Sequence, residues 1–127
     1  MRNEGLIKSF VAESAIAANT LVKFGSTDDY VVPATAATDA IIGVCSEVAA
    51  DAGERVDIVI NGIAEVKLGG TVTRGASFIT AGAAGVGVAA APAAGVNNRV
   101  IGVAMASGVS GDIIGVDLTA KGQIQGA

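Results

Sequence analysis

Residues 55–68 read RVDIVINGIAEVKL, and this stretch decides the fold class. Within 56–60, Val or Ile occupies every second position, which is the pattern of a β-strand with one buried face. A second apolar run follows at 63–68. Asn61-Gly62 between the two runs favours a hairpin, because both residues tolerate positive φ. One long strand bent at Gly62 agrees with the pattern equally well, so the sequence leaves both arrangements open.

Similar short runs, bounded by Gly, Asp or Pro, recur on both sides of this stretch. No segment has a convincing helical stripe, although 13–21 has room for a turn or two of helix. We therefore predict an all-β fold, a small β-barrel or β-sandwich of about ten short strands with Gly-rich turns. The predicted strands are 6–12, 20–24, 30–32, 41–46, 56–60, 63–68, 71–73, 77–80, 99–104 and 112–118.

The chain has 127 residues, which is the length of one domain. We predict an N-terminal arm or edge strand at 1–12, followed by a single β domain at 13–127. Residues 34–40 and 81–98 are predicted loops, and 121–127 a frayed tail. The mixed charges near the start do not match a signal peptide, and no apolar run approaches the ~20 residues of a membrane span.

Two parts of the chain share an order of features. Residues 42–60 and 101–118 each contain Ile-Gly-Val, then a turn with a glycine (Gly53 or Gly111), then a run rich in Val and Ile. A repeated hairpin unit within one barrel would explain the match. A chance match between short Val/Ile/Gly segments would explain it equally well.

Apolar residues make up 51% of the chain, but Trp is absent and the aromatic residues are Phe10, Phe24, Tyr30 and Phe78. Ala buries little area, so a monomer would have a thin core, and we expect oligomerisation or docking on a larger body. The formal net charge is −4, without a Lys/Arg cluster. Nucleic acids and anionic membranes require concentrated positive charge, so we expect neither as a partner.

The sequence offers few groups for chemistry. Histidine is absent, which removes His-dependent triads and most zinc sites. Cys45 is the single cysteine and is expected to be a buried hydrophobe. The string GVGVAA at 85–90 resembles a dinucleotide fingerprint, but Pro92 prevents the helix that must follow it. Three carboxylate pairs lie in or beside turns, where Asp caps the backbone: Asp28-Asp29, Asp51-Glu54 and Asp112-Asp117. We predict no catalytic residue, no cofactor, no metal ion and no enzymatic activity.

In chain order, the features are an apolar N-terminal run, TLVKF at 20–24, YVVPA at 30–34, IGV at 42–44, VDIVINGIA at 56–64, GA at 75–76, IGVA at 101–104 and a glycine turn into 112–118. This order, which covers most of the chain, resembles the head decoration (capsid cement) proteins of tailed bacteriophages. The resemblance implies a β-barrel or sandwich on the outer surface of a phage head, bound at junctions between major capsid protein subunits and stabilising the shell. It implies two partners, the major capsid protein and further copies of the chain as a homodimer or homotrimer, and synthesis in the bacterial host cytoplasm.

An apolar N-terminal segment can add a strand to the open sheet edge of a neighbour. We therefore consider that Leu6, Ile7, Phe10 and Val11 contact the capsid or an adjacent subunit. The alternative, equally compatible with the sequence, is that 6–11 pairs within its own barrel. Other functions that remain open are a different structural module, such as a tail component or a bacterial surface domain, and an enzyme that uses carboxylates alone.

Overall fold

The computed structural model describes residues 3–127, apart from the side chain of Ala120. The described chain folds into thirteen β-strands and two single turns of 3-10 helix, so the predicted all-β class is confirmed. Within 3–127, no helix has the length and apolar character that crossing a bilayer would require. The strands are β1 (Asn3–Glu4), β2 (Ile7–Ala12), β3 (Leu21–Phe24), β4 (Tyr30–Pro33), β5 (Ile41–Cys45), β6 (Arg55–Val59), β7 (Gly62–Lys67), β8 (Phe78–Ala81), β9 (Gly87–Ala89), β10 (Asn97–Val100), β11 (Gly102–Ala104), β12 (Ile113–Asp117) and β13 (Gly122–Gln125), and the 3-10 turns are Ala83–Gly85 and Leu118–Ala120.

Five strands close into a barrel in the order β2-β4-β3-β5-β6, which we call the first barrel. β2 has a partner on each side, because it runs parallel to β4 and antiparallel to β6. Residues 7–12 are therefore neither a free arm nor an edge strand. Of the two alternatives for this segment, it pairs within its own barrel and does not add a strand to a neighbour. The reason is burial, since Phe10 and Ala12 point into the barrel. Residues 1–2 of the predicted arm lie outside the described residues.

The second half of the chain forms a six-stranded sheet in the order β1-β7-β12-β11-β8-β9, with the short β1 at one edge. This sheet curls until β7 and β9 meet at a single parallel bridge between Leu68 and Gly87. We call β7, β9, β8, β11 and β12 the second barrel. β10 and β13 form a separate antiparallel ribbon.

The two barrels have the same topology. Going round each barrel, β2-β4-β3-β5-β6 correspond to β7-β9-β8-β11-β12, and the paired residues correspond in register apart from a shift between Val22 and Lys23 in the β3–β5 pairing. Even the closing contact is equivalent, since Ala12 lies beside Val31 in the first barrel as Leu68 lies beside Gly87 in the second. Equivalent cross-strand pairs are Phe10–Val56 and Val66–Ile114, Val22–Gly43 and Ile79–Gly102, Lys23–Val32 and Thr80–Val88, and Val44–Val59 and Val103–Asp117.

The loops repeat as well. Gly53 and Gly111 both turn the chain with positive φ, 87° and 93°. The carboxylate that follows each glycine accepts a hydrogen bond from the main-chain N–H three residues earlier, Glu54 from Asp51 at 2.7 Å and Asp112 from Val109 at 2.9 Å. The repeated hairpin suggested by the sequence is therefore present, as β5-β6 and β11-β12. The repeat extends over two barrels rather than lying within one.

Each barrel has an apolar interior, and equivalent positions differ in size in a compensating way. Phe10 and Ala12 of the first barrel correspond to Val66 and Leu68 of the second, so a large and a small residue exchange places. Cores tolerate such exchanges when their total volume is kept. The first-barrel interior consists of Phe10, Ala12, Ile16, Val22, Val31, Cys45, Ala50, Val56 and Ile58, and its equivalents are Val66, Leu68, Val72, Ile79, Gly87, Ala104, Gly108, Ile114 and Val116.

The connection at Asn61-Gly62 differs from one of the two predicted arrangements. β6 and β7 do not pair with each other, because β6 belongs to the first barrel and β7 to the second. The predicted hairpin is therefore wrong. The chain instead bends at Gly62 and passes into the second barrel. Gly62 has φ of 90°, and a Cβ there would overlap the backbone nitrogen of Gly5. Only glycine fits this close approach without displacing the backbone.

The remaining differences concern short or polar strands. The predicted strand 99–104 divides at Ile101, because β10 belongs to the ribbon and β11 to the second barrel. β9 and the first half of β10 lie in the loop predicted at 81–98, and β13 lies in the tail predicted at 121–127. β9 and β13 show little alternating burial, and β10 alternates but buries the polar Asn98, so none of the three gives an apolar period-two signal. The strand predicted at 71–73 reduces to a bridge at Val72, and 13–21 contains no helix.

Candidate interaction surfaces

The four N-terminal residues predicted to contact a capsid differ in exposure. Leu6 is 57% exposed and Ile7 is 44% exposed, while Val11 is half-buried. Phe10 is 4% exposed and belongs to the first-barrel core. Of the four residues, Phe10 therefore offers the least surface to a capsid.

One end of the first barrel opens to solvent and forms a cavity of about 530 Å³. The rings of Phe10 and Phe24 line it, edge to face at 72° with their centroids 5.9 Å apart, and Phe24 is 54% exposed. Lys8 Nζ lies 4.4 Å from the centroid of the Phe10 ring and 3.4 Å from a carboxylate oxygen of Asp29. We call this cavity the first-barrel mouth, lined by Lys8, Phe10, Phe24 and 25–29.

Glu13 holds the rim of this mouth in place. Its Oε1 accepts hydrogen bonds from Ser26 N at 2.9 Å and from Ser26 Oγ at 2.7 Å. Both bonds favour the carboxylate form, so they lower the pKa of Glu13. The seam of a barrel is the line where its parallel strands meet, which is β2 beside β4 in the first barrel. Asp29, with φ of 67°, closes this seam beside the mouth, because its carbonyl accepts a hydrogen bond from Val11 N at 2.8 Å. The mouth is therefore a preformed feature of the barrel end.

The equivalent mouth of the second barrel is covered by the first barrel. Ala64 and Ala81, which take the places of Lys8 and Phe24, are fully buried. Gly85, which takes the place of Asp29, packs against the first barrel so closely that an added Cβ would lie 3.0 Å from Thr20 Cβ. Small residues at this mouth thus make room for a neighbouring barrel.

The part of the first barrel that covers this mouth is one strip of its outer surface. Leu21, Val44 and Val59, which we call the first-barrel flank, share a single buried cluster with Ala64 and Ala81. The flank lies on adjacent strands, since β3 and β6 both pair with β5. The two barrels are therefore joined by the flank of one packed on the mouth of the other.

Asn19 explains why the second barrel closes at only one bridge. Its carbonyl accepts from Lys67 N at 2.9 Å, and its Nδ2 donates to the carbonyl of Glu65 at 3.2 Å. In the first barrel the equivalent main-chain donor, Val11 N, bonds instead to Asp29 of the same barrel. A residue of the first barrel thus occupies part of the seam of the second.

The surface of the second barrel that is equivalent to the flank faces outward. Phe78 and Val103 stand at the positions of Leu21 and Val44, and Phe78 is 40% exposed. Two further apolar residues lie beside them, Met105 at 39% exposure and Ile113 at 52%. We call these four residues the second-barrel face. Sequence reasoning missed it, although aligning the repeats would have shown Met105 and Ile113 at the positions of Ser46 and Arg55.

The titratable groups have local structural roles. Asp117 accepts from Thr119 N at 3.0 Å and from Thr119 Oγ1 at 2.8 Å, and these bonds lower its pKa. Cys45 lies in the first-barrel interior, where burial, with a smaller effect of Asp57, raises its pKa to about 11. Within the described residues, no three His, Cys, Asp or Glu side chains group closely enough to hold a metal ion.

The fold has a counterpart among solved structures. No protein-family model matches the chain, and no curated protein matches it. Among solved structures, the chain is similar to the head fiber gp8.5 N base of bacteriophage phi29, with a TM-score of 0.66. The alignment covers 91% of this chain and 95% of that one at 18% sequence identity. At that identity, the likeness shows a shared fold.

Proposed function

We propose that the protein is a structural component of a bacteriophage head, attached to the outside of the shell as a decoration or cement protein. The observation that carries this proposal is the likeness to the phi29 head fiber N base, which extends over nearly the whole of both chains. The order of sequence motifs, which resembles that of phage decoration proteins, supports the same assignment by a separate line of reasoning.

The architecture suits a part that works by shape and adhesion. One buried cluster includes residues of both barrels, among them Val59 and Val116, so packing fixes the two barrels relative to each other. A body of this kind presents the same surface at every site of a symmetric shell. Many modest contacts then act together, because each bound copy adds to the stability of the whole shell.

We place the head contact at Leu6 and Ile7, the two most exposed of the predicted contact residues. Leu6 borders a shallow cavity of about 280 Å³ where the chain passes between the barrels. Ile60 also lines this cavity, and its carbonyl accepts a hydrogen bond from Lys121. An apolar side chain at a junction of major capsid protein subunits is the expected partner of this surface.

The direct test is binding to expanded phage heads that lack this protein. We expect the purified chain to sediment with such heads and to raise their resistance to heat or pressure. Sedimentation with isolated tails but not with heads would favour the tail-component alternative. Absence of sedimentation with heads at saturating chain concentration would contradict the proposal.

A paired substitution tests the location of the contact. The double variant Leu6→Ser/Ile7→Ser is expected to keep the thermal stability of the parent and to sediment with heads at least about tenfold more weakly, since each lost apolar contact contributes roughly 1 kcal/mol or more. The matched control is Val48→Ser, which alters a 69% exposed residue outside the surfaces defined above. Equal binding by the double variant and the control would exclude Leu6 and Ile7 as the contact.

A further inference from the structure

The two barrels differ in how their outer surfaces are composed. On the first barrel, the covered flank is apolar, whereas Ser46 and Arg55 beside it are polar. On the second barrel, the flank positions hold the exposed Phe78, the half-buried Val103 and Asp117, and the exposed apolar residues Met105 and Ile113 replace Ser46 and Arg55. An exposed apolar surface of this kind marks a site of association.

The internal contact between the barrels shows what fits such a surface. Within the chain, the flank of one barrel packs on the mouth of another. Each molecule retains one outward-facing equivalent of the flank, the second-barrel face, and one open mouth, that of the first barrel. We propose that the first-barrel mouth of a second copy of the chain binds the second-barrel face, so that copies associate head to tail.

The chemistry of the two surfaces is complementary. Phe78, at the position of Leu21, would reach the mouth, where Phe24 is exposed and the cavity of about 530 Å³ is lined partly by aromatic rings. Aromatic pairs of this kind contribute beyond their buried area. Asp117 stands at the position of Val59, and Lys8 at the position of Ala64. Two apolar positions of the buried cluster between the barrels thus correspond to opposite charges on the two surfaces that would meet.

Apart from these side-chain differences, the proposed contact differs from the internal one at the line where the barrel closes. The seam of the first barrel is already closed by the bond from Val11 N to Asp29, so an incoming copy binds the mouth without inserting into the seam. Because the two surfaces are different, the association is heterologous, and it produces closed rings or open filaments. This inference does not depend on attachment to a phage head.

Cysteine cross-linking tests the pairing directly. We prepare Phe24→Cys and Phe78→Cys as separate chains, each in the background of the buried Cys45, and oxidise them alone and mixed. Head-to-tail pairing predicts disulfide-linked dimers in the mixture and little product from either chain alone. Val48→Cys is the control and should link to neither. Efficient linkage of Phe78→Cys chains to one another would show a two-fold contact instead and would overturn the proposal.

Charge reversal supplies a second readout. Lys8→Asp and Asp117→Lys should each weaken self-association at least about tenfold in sedimentation equilibrium, because each places like charges in the contact. Mixing the two variants should restore association, since the substituted positions then carry opposite charges. Parent chains that remain monomeric at all concentrations would refute the proposal. So would association that neither reversal affects.

Discussion

Replacing Phe10 with alanine would remove the largest side chain from the first-barrel interior. The residue is 4% exposed, and its ring contacts Phe24 edge to face. This substitution separates the two interpretations of the N-terminal segment. If β2 is a barrel strand, the substitution lowers the stability of the protein. If residues 7–12 were a contact arm, the substitution would weaken binding to a partner and leave the stability unchanged.

The magnitude follows from burial. Phe→Ala in a core costs about 3–5 kcal/mol, as the sum of lost transfer energy and the remaining cavity. Loss of the aromatic pair is part of that cost, at about 1 kcal/mol. Because Phe10 lines the mouth, water can fill part of the space, and we expect the lower end of the range, about 3 kcal/mol. For a chain of this length, the corresponding fall in Tm is roughly 10 °C.

Thermal and urea unfolding followed by circular dichroism would measure the change. Ile7→Ala, on the same strand but 44% exposed, is the matched control and should cost less than about 1 kcal/mol. A Phe10→Ala protein with unchanged stability and reduced binding to heads or to other copies would refute the placement of β2 inside the barrel.

Three further outcomes are expected. A Cβ at Gly102 would overlap a backbone oxygen of β12, so Gly102→Ala should lower the free energy of unfolding by about 3 kcal/mol. Gly122 has open space around it, so the control Gly122→Ala should change that free energy by less than about 0.5 kcal/mol. Urea titrations measure both changes. The lowered pKa of Glu13 means that its bonds to Ser26 stabilise the fold above the ordinary carboxyl pKa, and that this stabilisation is lost as the pH falls through the lower folded value. Tm measured from pH 6 to pH 3 should therefore fall more for the parent than for Glu13→Gln, and parallel curves would contradict the assignment. Cys45 should resist a thiol reagent in the native protein at pH 8, because its pKa is about 11 and its side chain is buried. It should react once urea unfolds the chain. Rapid labelling of the folded protein would place the thiol at the surface and contradict this prediction.

Strands with β-branched runs and one buried face could be predicted from the sequence. Residues 56–60 and 41–46 have this character, and both correspond to strands of the first barrel. β13 could not be predicted, because its four residues are one Gly, two Gln and one Ile and its main-chain bonds to β10 provide the order. Backbone pairing of this kind leaves no pattern in side-chain polarity.

The error at Asn61-Gly62 has a similar physical origin. Asn-Gly favours positive φ, and Gly62 does have φ of 90°. A positive φ specifies a change of direction but not its destination. The strand that follows pairs with β12, about fifty residues later in the chain, so long-range packing decided between the two arrangements.

The two surfaces were beyond prediction for a different reason. The mouth depends on which end of a closed barrel another element covers, and no local pattern records that. Phe24 and its equivalent Ala81 differ in the sequence, but the difference has meaning only when the repeats are superimposed. Ala81 is buried beneath the first barrel, and Phe24 is exposed.

Comparison of the repeats separates positions that determine the fold from positions that determine contacts. Gly43 and Gly102 are identical because a side chain at either would meet a carbonyl of the paired strand. Gly53 and Gly111 are identical because their turns need positive φ. Arg55 and Ile113, by contrast, occupy equivalent and exposed strand positions where the fold imposes no apolar side chain. The barrel fold does not require an isoleucine at position 113. Ile113 lies on the second-barrel face, and the equivalent surface of the first barrel, the flank, is a packing surface. A partner is therefore the best explanation for Ile113, and the internal contact between the barrels indicates the shape of that partner.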